Sequence, residues 1–107
     1  MKLVEKKCGA CDGMESSISD DLKEHYLNEL SDGWDILEHI KLKKEYRFSN
    51  FKAALEFTNK VGQLAEQEGH HPDIYLTWGK VELVIYTHKL KQLTENDFIL
   101  AAKCDLI

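Results

Sequence analysis

Hydrophobic residues recur along the chain with two different periods, and the changes between them divide it into helices and strands. Between 19 and 30 they fall on one helical face, and Ser19 followed by two acids suits a helix start. From 34 to 48 they occupy mostly even positions, as in strands with one buried face. A polar break in this run predicts a short strand over 34 to 37 and a longer one over 40 to 48, paired as a hairpin.

A helical period returns after position 50 and predicts the longest element of the chain. Ser49 or Asn50 can cap its start, and its broad apolar face suits a helix that lies on a sheet. We expect Gly69 to end this helix in a left-handed conformation, and Pro72 prevents it from resuming.

Alternation of apolar and polar residues between 73 and 86 predicts a second hairpin. We place its turn at Gly79 and Lys80, because glycine at the first central position is typical of one kind of two-residue turn. In that register Trp78 lies opposite Val81, and alternation puts Trp78 on the buried face of the sheet.

A final helix is predicted after Thr94, which forms a capping box with Asp97 at the third helical position. The order of elements is then α-β-β-α-β-β-α. It predicts an α+β domain with a four-stranded antiparallel sheet and three helices packed on one face. We expect this single domain to span 18 to 107, after a polar, mobile lead-in over 1 to 17.

Composition narrows the class of protein. A chain of 107 residues, 43% of them hydrophobic, has the size of one compact domain with a modest core. The net charge is -5 and no basic face interleaved with aromatic residues occurs, which disfavours direct binding to nucleic acid. We expect no membrane association and a cytoplasmic protein, because the sequence contains neither a long apolar run nor the features of a signal peptide.

The three cysteines are an odd number without a secretion signal, so we expect reduced thiols. Cys8 and Cys11 form a Cys-x-x-Cys pair. A structural zinc site normally takes four ligands, and no second pair completes this one. No strand-helix pattern frames a redox motif either. Zinc and redox roles stay open as alternatives, but we assign the pair no specific function.

Three histidines are predicted to meet at one end of the sheet. His70 and His71 lie where the second hairpin begins and His88 where it ends, and the predicted register sets His71 opposite His88. An imidazole can both donate and accept a proton near neutral pH. Glu66 lies one turn upstream of His70 and could orient it. The sequence therefore predicts an acid/base active site.

These residues also allow other interpretations. Three imidazoles and a carboxylate could bind zinc, but adjacent residues of an extended chain point to opposite sides, so His70 and His71 suit two faces of a flat ligand better. The capping box would explain Asp97 without any chemistry. Tyr75 and Tyr86 share the open face of the sheet, where they could stack on a planar ligand or form a subunit contact.

One set of residues carries a resemblance to a known family. The set is Glu66, His70, His71, Pro72, Trp78, His88 and Asp97, with three, none, none, five, nine and eight residues between successive members. This spacing resembles the signature of the pterin-4a-carbinolamine dehydratases, also known as the dimerisation cofactor of a hepatic homeodomain transcription factor. The predicted order of elements resembles that family's fold over 15 to 105, and the Cys-x-x-Cys lead-in resembles bacterial members.

The resemblance implies a hydro-lyase that dehydrates 4a-hydroxytetrahydropterin to quinonoid dihydropterin, without a metal or other cofactor. This reaction recycles tetrahydropterin after an aromatic amino acid hydroxylase. As hypotheses, His70 and His88 act as acids from either side of the ring, His71 binds the ring and assists as base, and Glu66 orients His70. By the same resemblance, the pocket is lined by Pro72, Thr87, His88, Lys89 and Leu90.

The family forms dimers and tetramers, so the resemblance also implies a homodimer or homotetramer. A non-catalytic dimerisation or regulatory binding module on the same fold is the alternative function. Animal members tend to carry a cysteine where this chain has Leu90. We therefore do not extend the transcriptional role to this chain.

Overall fold

The computed structural model describes residues 2–8 and 18–107. The described residues form a short 3₁₀ helix, three α-helices and four β-strands in the predicted order. The 3₁₀ helix is Leu3–Glu5 and the helices are α1 (Asp20–Leu27), α2 (Phe51–Glu68) and α3 (Glu95–Cys104). The strands are β1 (Asp35–Leu37), β2 (Lys41–Arg47), β3 (Asp73–Thr77) and β4 (Lys80–Ile85).

The four strands form one antiparallel sheet in the order β1-β2-β4-β3, and the predicted α+β class is confirmed. One face of the sheet and the helices enclose the core, which contains Leu42, Val81, Leu83 and Ile85 from the strands. α2 contributes Ala54, Phe57, Val61 and Ala65, spaced so that they share one side of the helix. Among the described residues, no helix is long and apolar enough to cross a membrane.

Both ends of α2 form as the sequence predicts. The Asn50 side chain caps the first turn by accepting a hydrogen bond from the Ala53 amide at 2.8 Å. Gly69 ends the helix with φ 66°, in the left-handed region where glycine carries no Cβ penalty. The chain then reverses direction, so that the next residues leave the helix axis and enter the hairpin.

The turn of the second hairpin differs from the prediction. Thr77 pairs with Lys80, so the two turn residues are Trp78 and Gly79, and Leu76 takes the place opposite Val81 that was predicted for Trp78. The buried-face prediction for Trp78 is therefore wrong, and 68% of this residue is exposed. Gly79 fits the observed turn because its carbonyl accepts the Phe48 amide at 2.8 Å, and a Cβ there would lie 3.0 Å from the Phe48 carbonyl oxygen.

The described part of the predicted lead-in packs on the domain. Leu3 is buried in the core cluster, and the Lys6 ammonium binds the Glu95 carboxylate at 2.7 Å. The predicted start at residue 18 leaves these contacts outside the domain, because the adjacent apolar residues Leu3 and Val4 in a polar stretch give no periodic signal. Burial, together with the nearby Glu68 carboxylate, raises the pKa of Cys8 to about 12, which disfavours a reactive thiolate. Cys11 lies outside the described residues.

A largely buried carboxylate, Asp105, holds the end of α3 to the sheet. Asp105 accepts hydrogen bonds from Trp34 Nε1 at 2.8 Å, Lys44 Nζ at 2.8 Å and the Tyr46 hydroxyl at 2.6 Å. Three donors from β2 and the segment before β1 thus converge on one residue that follows α3. These bonds are costly to lose, because Trp34 and Tyr46 would be left without this acceptor and Lys44 would keep only the Ser31 hydroxyl at 3.0 Å.

This cluster predicts part of the response of stability to acid. Burial alone would raise the pKa of Asp105, but hydrogen bonds from Lys44 and its neighbours outweigh burial and hold the pKa below the ordinary 3.8. Such a carboxyl stabilises the fold above its ordinary pKa and loses that contribution as pH falls towards its lower, folded-state pKa. As pH falls below about 4, the free energy of unfolding of Asp105→Asn should therefore fall less steeply than that of the wild type. Urea unfolding followed by circular dichroism measures both slopes, and equal slopes would contradict the assignment.

Candidate active site

The most deeply buried histidine of the described residues forms the centre of the site. His70 is 5% exposed, and its Nε2 lies 2.6 Å from Oδ1 of Asp97, which is 0% exposed. His70 follows the end of α2, and Asp97 lies in the first turn of α3. The contact therefore joins the end of α2 to the first turn of α3 through a buried pair of polar groups.

The second oxygen of Asp97 is also fully engaged. Oδ2 accepts the Thr94 amide at 2.8 Å, which completes the capping box, and the Thr87 hydroxyl at 2.9 Å. The Thr87 and Thr94 hydroxyls lie 2.9 Å apart. An ionised carboxylate accepts and cannot donate, so with Asp97 ionised the hydrogen between Asp97 and His70 resides on His70 Nε2.

This arrangement assigns different tasks to the two ring nitrogens of His70. Nε2 is held by Asp97, and no partner of Nδ1 occurs among the described residues. No fully buried side-chain nitrogen or oxygen in that part of the chain lacks a hydrogen-bond partner. Within the described residues, Nδ1 is therefore the ring nitrogen at which a ligand would have to meet His70.

Glu66 contacts His71 and not His70, which corrects the predicted orienting role. Its Oε2 lies 2.5 Å from His71 Nε2, and both side chains are more than half exposed. The prediction assumed that the helix continues to His70. The left-handed Gly69 ends it first, so the chain turns His70 towards α3 and brings His71 over the last turn of α2.

His88 lies next to Thr87, just beyond β4. Its Nε2 is 3.3 Å from Oδ1 of Asp73, the first residue of β3, and its ring lies 4.2 Å from the Tyr86 ring at an interplanar angle of 47°. The start of β3 and the end of β4 lie at the same end of the hairpin, because the two strands are antiparallel neighbours. The structure thus brings all three histidines to one end of the sheet.

The predicted pairing of His71 with His88 is wrong, because the register of the hairpin is shifted by two residues from the prediction. Continuing the observed register past Asp73 brings His70 level with Thr87, and both side chains bind Asp97. The proposed pocket residues Lys89 and Leu90 lie in an exposed loop after His88, and Pro72 is half-buried beside His71.

Asp97 is the residue whose role the sequence underestimated. Its place in the capping box accounts for one carboxylate oxygen and leaves the other free for His70. The available signal was its membership of the spaced set that also contains the three histidines. As for metals, the described residues contain no cluster of three or more histidine, cysteine, aspartate or glutamate side chains that could hold an ion.

Comparison with known proteins agrees with the geometry. The sequence profile of the family described as pterin 4 alpha carbinolamine dehydratase matches residues 16–107. A protein of Alkaliphilus metalliredigens that is assigned as a pterin-4-alpha-carbinolamine dehydratase is 47% identical over 103 residues, covering 96% of this chain and 93% of that protein. A protein of Rubrobacter xylanophilus with the same assignment is 42% identical over 104 residues, covering 97% and 96%.

The fold is also that of a solved structure. The crystal structure described as a transcriptional coactivator/pterin dehydratase from Brucella melitensis superposes with a TM-score of 0.79 at 24% identity, and the match covers 85% of this chain and 97% of that one. The profile and the sequence relatives span nearly the whole chain. By these matches the chain belongs to the pterin 4 alpha carbinolamine dehydratase family, a family of hydro-lyases.

Proposed function

We propose that this chain dehydrates 4a-hydroxytetrahydropterin to quinonoid dihydropterin by histidine general acid/base catalysis. The observation that carries the proposal is the buried His70–Asp97 pair, which fixes one imidazole while leaving its second nitrogen available. Family membership supports the reaction class, and the geometry supports the use of histidines.

The reaction combines the cleavage of one C–O bond with two proton transfers. One proton goes to the departing hydroxyl, and the other leaves a ring nitrogen. The C4a–O bond breaks and its electron pair leaves with the hydroxyl oxygen, which takes a proton and departs as water. A ring N–H gives up its proton, and its electron pair forms the new C=N bond. Each transfer assisted by a positioned side chain is typically worth roughly 10² to 10⁴ in rate.

We assign the acid role to His70 and His88, acting from either side of the pterin ring, and the base role to His71, which also binds the ring. Asp97 binds Nε2 of His70 and fixes the orientation of its ring, while Nδ1 faces the substrate. Glu66 binds Nε2 of His71 and orients that ring, instead of orienting His70 as first predicted. Pro72 and the residues Thr87, His88, Lys89 and Leu90 line the proposed pocket.

A homodimer or homotetramer is part of the proposal. β3 is an edge strand, and an exposed edge offers unpaired backbone groups to a second chain. Phe51 and Leu55, one turn apart on α2, are exposed apolar residues, as is Trp78 at the hairpin tip. These surfaces also favour the second candidate, a non-catalytic dimerisation or regulatory module. A functional link to an aromatic amino acid hydroxylase and a cytoplasmic location stay predictions.

The proposal is tested by mixing purified protein with freshly generated 4a-carbinolamine and following quinonoid dihydropterin by absorbance. We expect clear acceleration over the uncatalysed reaction, and the same rate after exhaustive chelation, because the proposed mechanism uses no metal. The control for histidine substitutions in the site is His25→Ala/His39→Ala, which removes two exposed imidazoles remote in sequence from the site and should keep the wild-type rate. No acceleration by a folded wild-type oligomer would favour the binding module, and loss after chelation would favour a metal site.

A further inference from the structure

A buried lysine lies outside the histidine site and carries three hydrogen bonds. Lys23, on α1, is 4% exposed, which is rare for this residue type. Its ammonium donates to the His39 carbonyl oxygen at 2.6 Å, to Oε1 of Gln92 at 2.9 Å and to Oδ1 of Asp20 at 3.3 Å. The three donors of the ammonium group are therefore matched by acceptors from three separate segments.

The first of these acceptors belongs to the turn between β1 and β2. Glu38 and His39 both have positive φ, 53° and 65°, in the three-residue connection between the paired Leu37 and Lys41, and asparagine and glycine adopt this conformation most readily. The Ile40 amide closes this turn on the Leu37 carbonyl at 3.0 Å. A charge-assisted bond from Lys23 to His39 stabilises a backbone conformation that its own residues disfavour.

The second acceptor leads to the active site. Gln92 Oε1 accepts from Lys23 and from the Leu93 amide at 3.0 Å, which fixes the side chain at both contacts. The Gln92 carbonyl accepts the Thr87 amide at 3.0 Å. This bridge closes the base of the His88 loop, residues 88–91, whose side chains are exposed and whose Lys91 has φ 50°.

Thr87 is the point where this loop meets the catalytic pair. Its hydroxyl binds Oδ2 of Asp97, the carboxylate that holds His70, and its backbone continues into His88. A displacement at Gln92 would therefore move Thr87 and His88 together. Errors of about 1 Å in the position of a catalytic group can cost about 10² in rate.

We propose that Lys23 is a positioning residue of the active site, which holds the His88 loop in place through Gln92. The structural half of this proposal stands on the contacts alone, and its catalytic half rests on the proposed function.

Amide hydrogen exchange tests the structural half without any activity. In Lys23→Met, which keeps a chain of similar length but removes the donors, the amides of Thr87 and Leu90 should exchange at least about fivefold faster relative to the amides of α2. These two amides bond to Gln92 and Thr87 carbonyls within the loop. Asp20→Asn is the matched control, because it removes a contact to an exposed carboxylate and should leave both amides protected. Unchanged loop exchange in Lys23→Met would overturn the proposal.

Two further variants separate the loop from the β1–β2 turn. Glu38→Asn/His39→Gly supplies the residues that this turn favours, so in the Lys23→Met background it should restore the turn but not the protection of Thr87 and Leu90. Gln92→Leu breaks the contact from the loop end and should reproduce fast exchange with Lys23 intact. Full restoration by the turn substitutions would show that the lysine acts on the turn and would overturn the proposal.

The catalytic half has its own readout. In Lys23→Met we expect kcat to fall about tenfold with KM within about twofold, because positioning acts on the transition state more than on substrate binding. The ring resonances of His88 should shift in the same variant and stay in place in Asp20→Asn. An inactive wild type would refute the proposed function while the exchange data still decide the role of Lys23. Faster loop exchange with an unchanged kcat would overturn the catalytic half.

Discussion

Replacing Asp97 with alanine is expected to lower the free energy of unfolding by about 3 to 5 kcal/mol and to abolish most of the dehydratase activity. The side chain is 0% exposed and accepts from His70, Thr87 and the Thr94 amide. Its removal would leave three buried polar groups without an acceptor, and an unsatisfied buried group costs about 1 to 3 kcal/mol. Urea unfolding gives the stability change, and the carbinolamine assay gives the rate.

Asp97→Asn removes the negative charge of the side chain and keeps its shape. The amide fills the same space and can accept through its oxygen, so we expect a smaller stability loss of about 1 to 2 kcal/mol. The amide has only one acceptor oxygen for the donors that bind both carboxylate oxygens, so His70 is no longer held in its orientation and kcat should still fall about 10²-fold. Asp105→Asn is the matched control, a buried carboxylate near the other end of α3 that should lose stability with kcat retained. Equal kcat values for the two variants would show that Asp97 supports the fold and nothing more.

Asp97 also shows how far the sequence predicts this site. The capping box is a local pattern, so the spacing from Thr94 predicts the bond from the Thr94 amide to Oδ2. The bond from Oδ1 to His70 spans 27 residues and depends on how α2 and α3 pack. No periodicity encodes that packing. The one signal in the sequence was that Asp97 and His70 belong to the same spaced motif.

The difference between local and long-range interactions also explains which features of the fold the sequence predicts. Helix caps at Asn50, Gly69 and Thr94 are set by neighbouring residues, and their positions are confirmed. The hairpin turn lies one residue before its predicted place, which shifts the pairing of the two strands by two residues. The alternation cannot detect such a shift, because a change of two residues in register keeps the paired strand residues on their predicted faces. Such a shift matters at the ends of the hairpin, where it exposes Trp78 and sets His70 level with Thr87, in place of the predicted pairing of His71 with His88.

The second large effect is expected from removing both proposed acids. His70→Ala/His88→Ala should lower kcat by at least about 10³-fold, since each transfer contributes roughly 10² to 10⁴. Truncating His88 should cost little stability because its side chain is 48% exposed. Truncating His70 leaves Oδ1 of Asp97 buried with one partner fewer, so a loss of fold has to be distinguished from a loss of chemistry.

His70→Gln/His88→Ala makes that distinction, because a glutamine amide can donate to Asp97 but cannot transfer a proton at neutral pH. We expect the wild-type circular dichroism spectrum and oligomeric state, with kcat as low as in the alanine pair. The single variants are measured beside it, since residues that act as a unit are not additive and either single change could remove most of the rate. His71→Ala, which breaks an exposed pair with Glu66, should lose less than the double variant. A folded glutamine variant with more than about a tenth of the wild-type kcat would place the proton transfers on other groups.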